Sequence, residues 1–209
     1  MKLKTTQAVP KFGISEGITN EFFYPKLLES FDPSKPKNSF YNNEEEPSLL
    51  TMDLFKTLDW LHDHEYPRPL EKEVCDIPVL LYVPDFSTEH LLFHYDGSTN
   101  SVDLIRRFIF LFGDLIHGSK ATIISPNFIP KSKIKDEREI IQLITSSTKE
   151  TSFIKFNFSR IGDFWSYGVQ NNCTLLVTTK HYQADLAKVL FHFYRGKIWS
   201  TELSFYLSV

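Results

Sequence analysis

Leu91-Leu92-Phe93-His94-Tyr95-Asp96-Gly97-Ser98-Thr99-Asn100-Ser101 is the stretch on which the reading of this chain turns. A short apolar run, Leu91 to Tyr95, stops at Asp96-Gly97-Ser98. That triplet is a turn signal, because Asp and Ser bond to nearby backbone and Gly accepts positive φ. From Ser101 the apolar period lengthens. Val102, Ile105, Ile109, Phe112 and Ile116 share one helical face. Leu104, Phe108, Leu111 and Leu115 form a second row beside it. So wide a stripe predicts a helix buried deeply against a sheet, with Gly118 as its stop.

The alternation continues toward the C-terminus. Ala121-Thr122-Ile123-Ile124 reads as a strand ending at Pro126, followed by a Pro- and Lys-rich loop through Lys133. Ile134, Ile140, Ile141 and Ile144 lie on a polar helix. Phe153 to Phe158 alternates as a half-buried strand, and Ile161 to Val169 reads as a short helix. Cys173 to Thr178 is a further strand, residues 181–194 an amphipathic helix, and Glu202 to Val209 a last strand. Strands separated by helices predict a five-stranded parallel, doubly wound sheet covered on both faces. Ligands of such sheets bind beyond the C-terminal strand ends, where the strand order reverses. Here that edge comprises Asp96-Gly97-Ser98, Ser125-Pro126 and Thr178-Thr179-Lys180.

The first half is less regular. Residues 33–48, rich in Pro, Asn and Glu, read as an exposed loop. Leu49 to His62 reads as a helix, with Leu50, Leu54, Leu58 and Leu61 on one face and Pro67 and Pro69 beyond its end. Ile77 to Val83 reads as a strand.

Composition bounds the class. The chain has 209 residues, 42% hydrophobic and 23% charged, which is the balance of a globular protein. Its 19 Phe, 9 Tyr and 3 Trp supply much of the core volume. A net charge of −3 disfavours a nucleic-acid binder, which would carry a basic footprint. Cys75 and Cys173 are too few for a disulfide framework and lack metal-ligand spacing. No apolar h-region follows Met1 to Thr6, and no apolar run approaches the ~18 residues of a membrane span. A soluble, cytoplasmic setting without membrane partners is therefore expected.

The string Phe93-His94-Tyr95-Asp96-Gly97-Ser98, with Ser101 and the long helix behind it, resembles the opening of a universal stress protein domain. The order of elements through Val209 is similar as well. Cys75-Asp76-Ile77-Pro78-Val79-Leu80-Leu81 resembles the last strand of such a domain, and Tyr24-Pro25-Lys26-Leu27-Leu28 the remains of its fourth. The resemblance implies a Rossmann-like fold of the adenine nucleotide alpha hydrolase type over residues 87–209. It implies a shortened, degenerate copy over residues 1–86, as in tandem bacterial members. In nucleotide-binding members an Asp ends the first strand, and phosphates rest on Gly-x2-Gly-x9-Gly-[Ser/Thr] after the fourth. Glycines there let backbone N–H groups approach phosphate oxygens.

Asp96 matches the first requirement. Against the second, the glycine positions fall on Thr179, Tyr182 and His192, the hydroxyl position on Phe193, and no Gly occurs from 169 to 195. The resemblance thus implies a non-catalytic stress-response module acting through protein association, with no cofactor. The alternative is an ATP or AMP binder using Asp96, Ser98, Ser125, Thr178 and Thr179. Final strands of the family pair across a dimer interface, which makes Leu203, Phe205 and Leu207 candidate dimer contacts. The other possibility is that the first half covers that edge, giving an intramolecular pseudo-dimer.

The remaining motifs have plainer readings. Asp96 can equally cap the turn or the following helix, and Ser98 or Thr99 suits an N-cap better than a nucleophile. His62 and His64, two residues apart, do not share a helix face, so a solvated helix end is expected rather than a metal site. Lys131, Lys133 and Lys135 are offset by Asp136, Glu137 and Glu139. No Gly-x-Ser-x-Gly elbow or phosphate-binding glycine motif occurs.

Overall fold

The structure is a computed structural model that describes residues 18–22, 31–34, 47–193 and 203–209. Its frame is one sheet of eight strands, and the second half of the chain supplies five of them. These are β4 (His90–His94), β5 (Lys120–Ser125), β6 (Glu150–Lys155), β7 (Leu175–Thr179) and β8 (Ser204–Ser208). They lie side by side in the order β6-β5-β4-β7-β8, every neighbouring pair parallel. The chain steps outward from β4 to β6, then returns to the other side of β4 with β7. The gap above β4 and β7 is therefore the switch point of a doubly wound sheet.

Helices cover both faces. α2 (Thr99–Phe112) and α3 (Ile134–Ser147) sit on one side, α1 (Leu54–His62), α4 (Ile161–Gln170) and α5 (Gln183–Phe193) on the other. The strands sort their side chains by the two-residue period. In β4 and just after it, Leu91, Phe93 and Tyr95 join the α2–α3 core, while Leu92 joins the opposite one. In β8, Tyr206 faces α2, whereas Phe205 and Leu207 face the other layer. Burial on both faces is why these strands read as unbroken apolar runs.

The first half extends the same sheet with β1 (Thr19–Phe22), β2 (Leu49–Asp53) and β3 (Val79–Tyr82). β3 runs parallel to β2 and antiparallel to β8, with Leu80 opposite Tyr206. β1 runs antiparallel to β2 at the far edge. The Tyr24 to Leu28 segment lies outside the described residues.

Three sequence expectations shift. Leu49 to His62 is not one helix but β2 followed by α1. Asp53 makes the break: its carboxylate accepts the N–H groups of Phe55 and Lys56 at 2.9 and 3.1 Å, which starts the helix at Leu54. Leu49 to Met52 are all buried and belong to a strand. A short apolar run has no polar face by which period alone could assign it. The helix after Ser98 ends at Phe112 and tightens into a 3-10 turn over Gly113–Leu115, short of Gly118. β6 begins and ends three residues earlier than expected, because its ladder with β5 pairs Lys120 with Glu150 and Ser125 with Lys155. Phe156 and Phe158 thereby leave the sheet and enter the loop above it.

Candidate functional site

The Asp96-Gly97-Ser98 turn carries β4 into α2. Gly97 has φ +80, a conformation only glycine adopts without cost. The Asp96 carboxylate accepts the Ser98 N–H at 2.8 Å. The Ser98 hydroxyl oxygen in turn accepts the Ser101 N–H at 3.1 Å, capping α2. Both capping roles expected of these residues are present.

Above this turn, at the switch point, lies an open cavity of about 230 Å³. Sites that enclose drug-sized ligands typically measure roughly 300–1,000 Å³. Rings dominate its wall. Phe156 meets Phe158 at 4.7 Å between centroids, Phe158 meets Phe164 at 5.0 Å, Phe164 meets His94 at 3.9 Å, and His94 meets Tyr182 at 4.9 Å. Phe164 and Phe156 are each placed by local backbone bonds. Asp163 accepts the Ser159 and Arg160 N–H groups, which starts α4 and sets Phe164 under the cavity. The Phe156 N–H donates to the Ser125 carbonyl at 2.8 Å, tying the loop after β6 to the end of β5.

The polar groups are arranged around this wall. His94 Nδ1 lies 3.0 Å from the Thr178 hydroxyl, and burial lowers the His94 pKa to about 4 despite the opposing pull of Asp96. The imidazole is neutral at pH 7. Asp96 sits exposed at the mouth. Partial burial pushes its carboxyl up, but hydrogen bonds from Ser98 and Ser101 and the proximity of His94 outweigh this and hold it below its ordinary value. Ser125 donates from Oγ to Glu137 Oε1 at 2.6 Å and accepts from Lys155 Nζ at 3.2 Å. The Tyr95 hydroxyl is buried with no hydrogen-bond partner among the described residues, and burial, then Glu137, Asp136 and Asp96, raises its pKa to about 12.

Of the five residues proposed from sequence, Asp96 and Ser125 line the cavity. Thr178 lies behind its wall, holding His94, while Ser98 is committed to the α2 cap. Thr179 is paired with Ser208 in the β7–β8 ladder and is buried. Sequence reasoning missed Phe156, Phe158, Phe164 and Tyr182. Phe156 and Phe158 were read as strand residues, and only the β5–β6 register, which ends at Lys155, places them in the loop above the sheet.

The segment after β7 is the largest departure. Thr179 ends the strand, Lys180 to Tyr182 form one 3-10 turn, and α5 starts at once with Gln183. Residues 183–191, which separate the aligned second and third glycine positions, are all helical. Lys180, expected at the ligand edge, turns away from it and is 1% exposed. Its Nζ donates to Glu71 Oε1 at 2.6 Å, to the Ile77 carbonyl at 2.7 Å and to the Cys75 carbonyl at 2.8 Å. Gln183 accepts the Glu71 N–H at 3.3 Å. Nothing in the sequence marks this lysine, because an isolated Lys after a strand reads as solvated.

The other candidates resolve locally. His62 Nε2 lies 3.1 Å from the Phe191 carbonyl and His64 Nδ1 2.8 Å from that of Trp60. Among the described residues no three metal-ligating side chains converge. Lys133 pairs with Asp136 and Lys135 with Glu139. Leu203, Phe205 and Leu207 are buried inside the chain's own fold, and β8 is bonded on both edges, to β7 and to β3. Leu203 approaches α4 so closely that a Cβ on Gly168 would lie 3.2 Å from its side chain. Among the described residues no helix is long and apolar enough to cross a membrane.

No protein-family model matches the chain, and comparison with curated proteins returns no match. Among solved structures, the chain is similar to a universal stress protein from Archaeoglobus fulgidus DSM 4304. The two share 13% identity at a TM-score of 0.47, over 78% of this chain and 61% of that one. It is similar to a universal stress protein in complex with cAMP, with 13% identity and a TM-score of 0.36, over 55% of this chain and 93% of that one. It is also similar to a protein from Mycobacterium tuberculosis H37Rv, with 13% identity and a TM-score of 0.32, over 42% of this chain and 68% of that one.

Proposed function

We propose that this chain is a non-catalytic module of the universal stress type that acts in the stress response through protein association and does not cradle a triphosphate. The observation that carries the reading is the start of α5 at Gln183. A phosphate cradle needs free backbone N–H groups on a loop that can bend around oxygens. Here the turn after β7 is three residues long, its lysine is consumed by Glu71, and Tyr182 walls the cavity.

The division at residues 86 and 87 belongs to the same proposal. β3 lies antiparallel against β8, as the last strand of a partner subunit would. We take residues 1–86 to be the degenerate copy and the whole chain to be an intramolecular pseudo-dimer. An open apolar edge at β8 would invite aggregation, and β3 covers it.

Titration calorimetry with ATP, ADP and AMP at millimolar concentration tests the reading. No saturable heat is expected. Saturable binding that disappears in Asp96→Ala would replace it with the nucleotide-binding alternative.

A further inference from the structure

We infer that the cavity above β4 and β7 is a binding site for a small organic ammonium cation. The inference extends the reading that no triphosphate is held there, and it has its own test.

Two observations point the same way. The first is the wall. Five rings, from Phe156 through Phe158, Phe164 and His94 to Tyr182, succeed one another with no centroid spacing above 5.0 Å. Aromatic faces carry negative potential and attract a cation within roughly 6 Å of the ring centre, most strongly where water is excluded. The second is charge. Among the described residues lining the cavity, Asp96 carries the one formal charge at neutral pH, since His94 is neutral. Its carboxylate stands at the mouth, braced by the Ser98 N–H. Lys155 reaches the cavity floor through Ser125, but Glu137 accepts from both and offsets its charge.

Among the described residues a phosphate would meet a carboxylate here and no unmatched cation. A neutral apolar ligand would leave the Asp96 charge unused. An alkylated ammonium satisfies both the rings and the carboxylate, and a cavity of about 230 Å³ suits a small one.

The test is calorimetric titration of the full chain with tetramethylammonium and choline, set against neohexyl alcohol, the neutral carbon isostere of choline. Saturable binding of the cations is expected, with the isostere weaker by about tenfold or more. Asp96→Asn and Tyr182→Leu should each weaken choline binding several-fold. Phe158→Leu, which keeps an apolar side chain and removes the ring, should do the same, with far-UV circular dichroism confirming the fold of each variant. Equal binding of choline and its isostere would overturn the inference, as would absence of saturable heat at tens of millimolar cation. Those results leave the triphosphate reading intact, which falls only to saturable ATP binding.

Discussion

Two strand-to-helix turns stand side by side at the same edge of the sheet and are built in opposite ways. The turn after β4 uses Gly97 at positive φ, an Asp and a Ser that bond to backbone, and leaves a carboxylate facing the cavity mouth. The turn after β7 has no glycine and hides its charge. Lys180 leaves the edge and joins Glu71 and the carbonyls of Cys75 and Ile77 in the first half. The first turn is made locally, by residues within five positions of one another. The second is made at long range, by a pairing across 109 positions. One turn thus presents a carboxylate and the other buries its lysine.

The largest effect should come from breaking the long-range turn. With Lys180 and Glu71 at 1% and 3% exposure, Lys180→Met strands a buried carboxylate. The expected loss is about 3–5 kcal/mol of stability in urea denaturation. The double variant Lys180→Met with Glu71→Leu should recover most of it, because both buried charges leave together. If the double variant is no more stable than the single, the pairing is not what holds the β7 turn.

Next is the histidine that joins the two strand ends. The folded-state pKa of His94 lies near 4, below its ordinary 6.5. The unfolded chain therefore binds the proton first, and the sign is fixed. Stability is complete above pH 6.5 and falls as the pH drops toward 4, by about 3 kcal/mol from this group. His94→Gln should flatten the stability profile over that window; an unchanged slope would show that other groups carry it.

The smallest effect belongs to the local turn. Gly97→Ala forces a side chain into positive φ and should cost about 1–2 kcal/mol, read as a lowered urea midpoint. The open space around Gly97, whose nearest neighbour to an added Cβ is Ile129 at 3.8 Å, makes the penalty one of backbone conformation and not of packing. A cost equal to that of Lys180→Met would erase the distinction between the two turns.

Much of the second half was legible because its signals are local. A short unbroken apolar run marks β4, and a 3.6-residue period marks α2. The chemistry of Asp96-Gly97-Ser98 announces the turn, and no Gly occurs from 169 to 195, so the turn after β7 is made without one. The first half resisted the same treatment. Leu49 to Met52 are buried on both faces of the sheet, and the one polar side chain, Thr51, donates to the Pro33 carbonyl, so the run carries no alternation. Of the site, Asp96 and Ser125 were found because a strand end in a doubly wound sheet is a place readable in sequence. Phe164 and Tyr182 were not, because an aromatic on a helix or after a strand reads as core wherever it occurs.

By itself, then, the sequence determined the order of elements in the second half of the chain, their doubly wound class and the turn at Gly97. These follow from side-chain period and backbone freedom, which act over a few residues. Only the tertiary structure decided that β3 lies against β8, that Lys180 is a buried partner of Glu71, and that five rings close on one cavity beside a carboxylate. Those features depend on which residues distant in the chain meet, and burial, not local propensity, sets their charge and their chemistry.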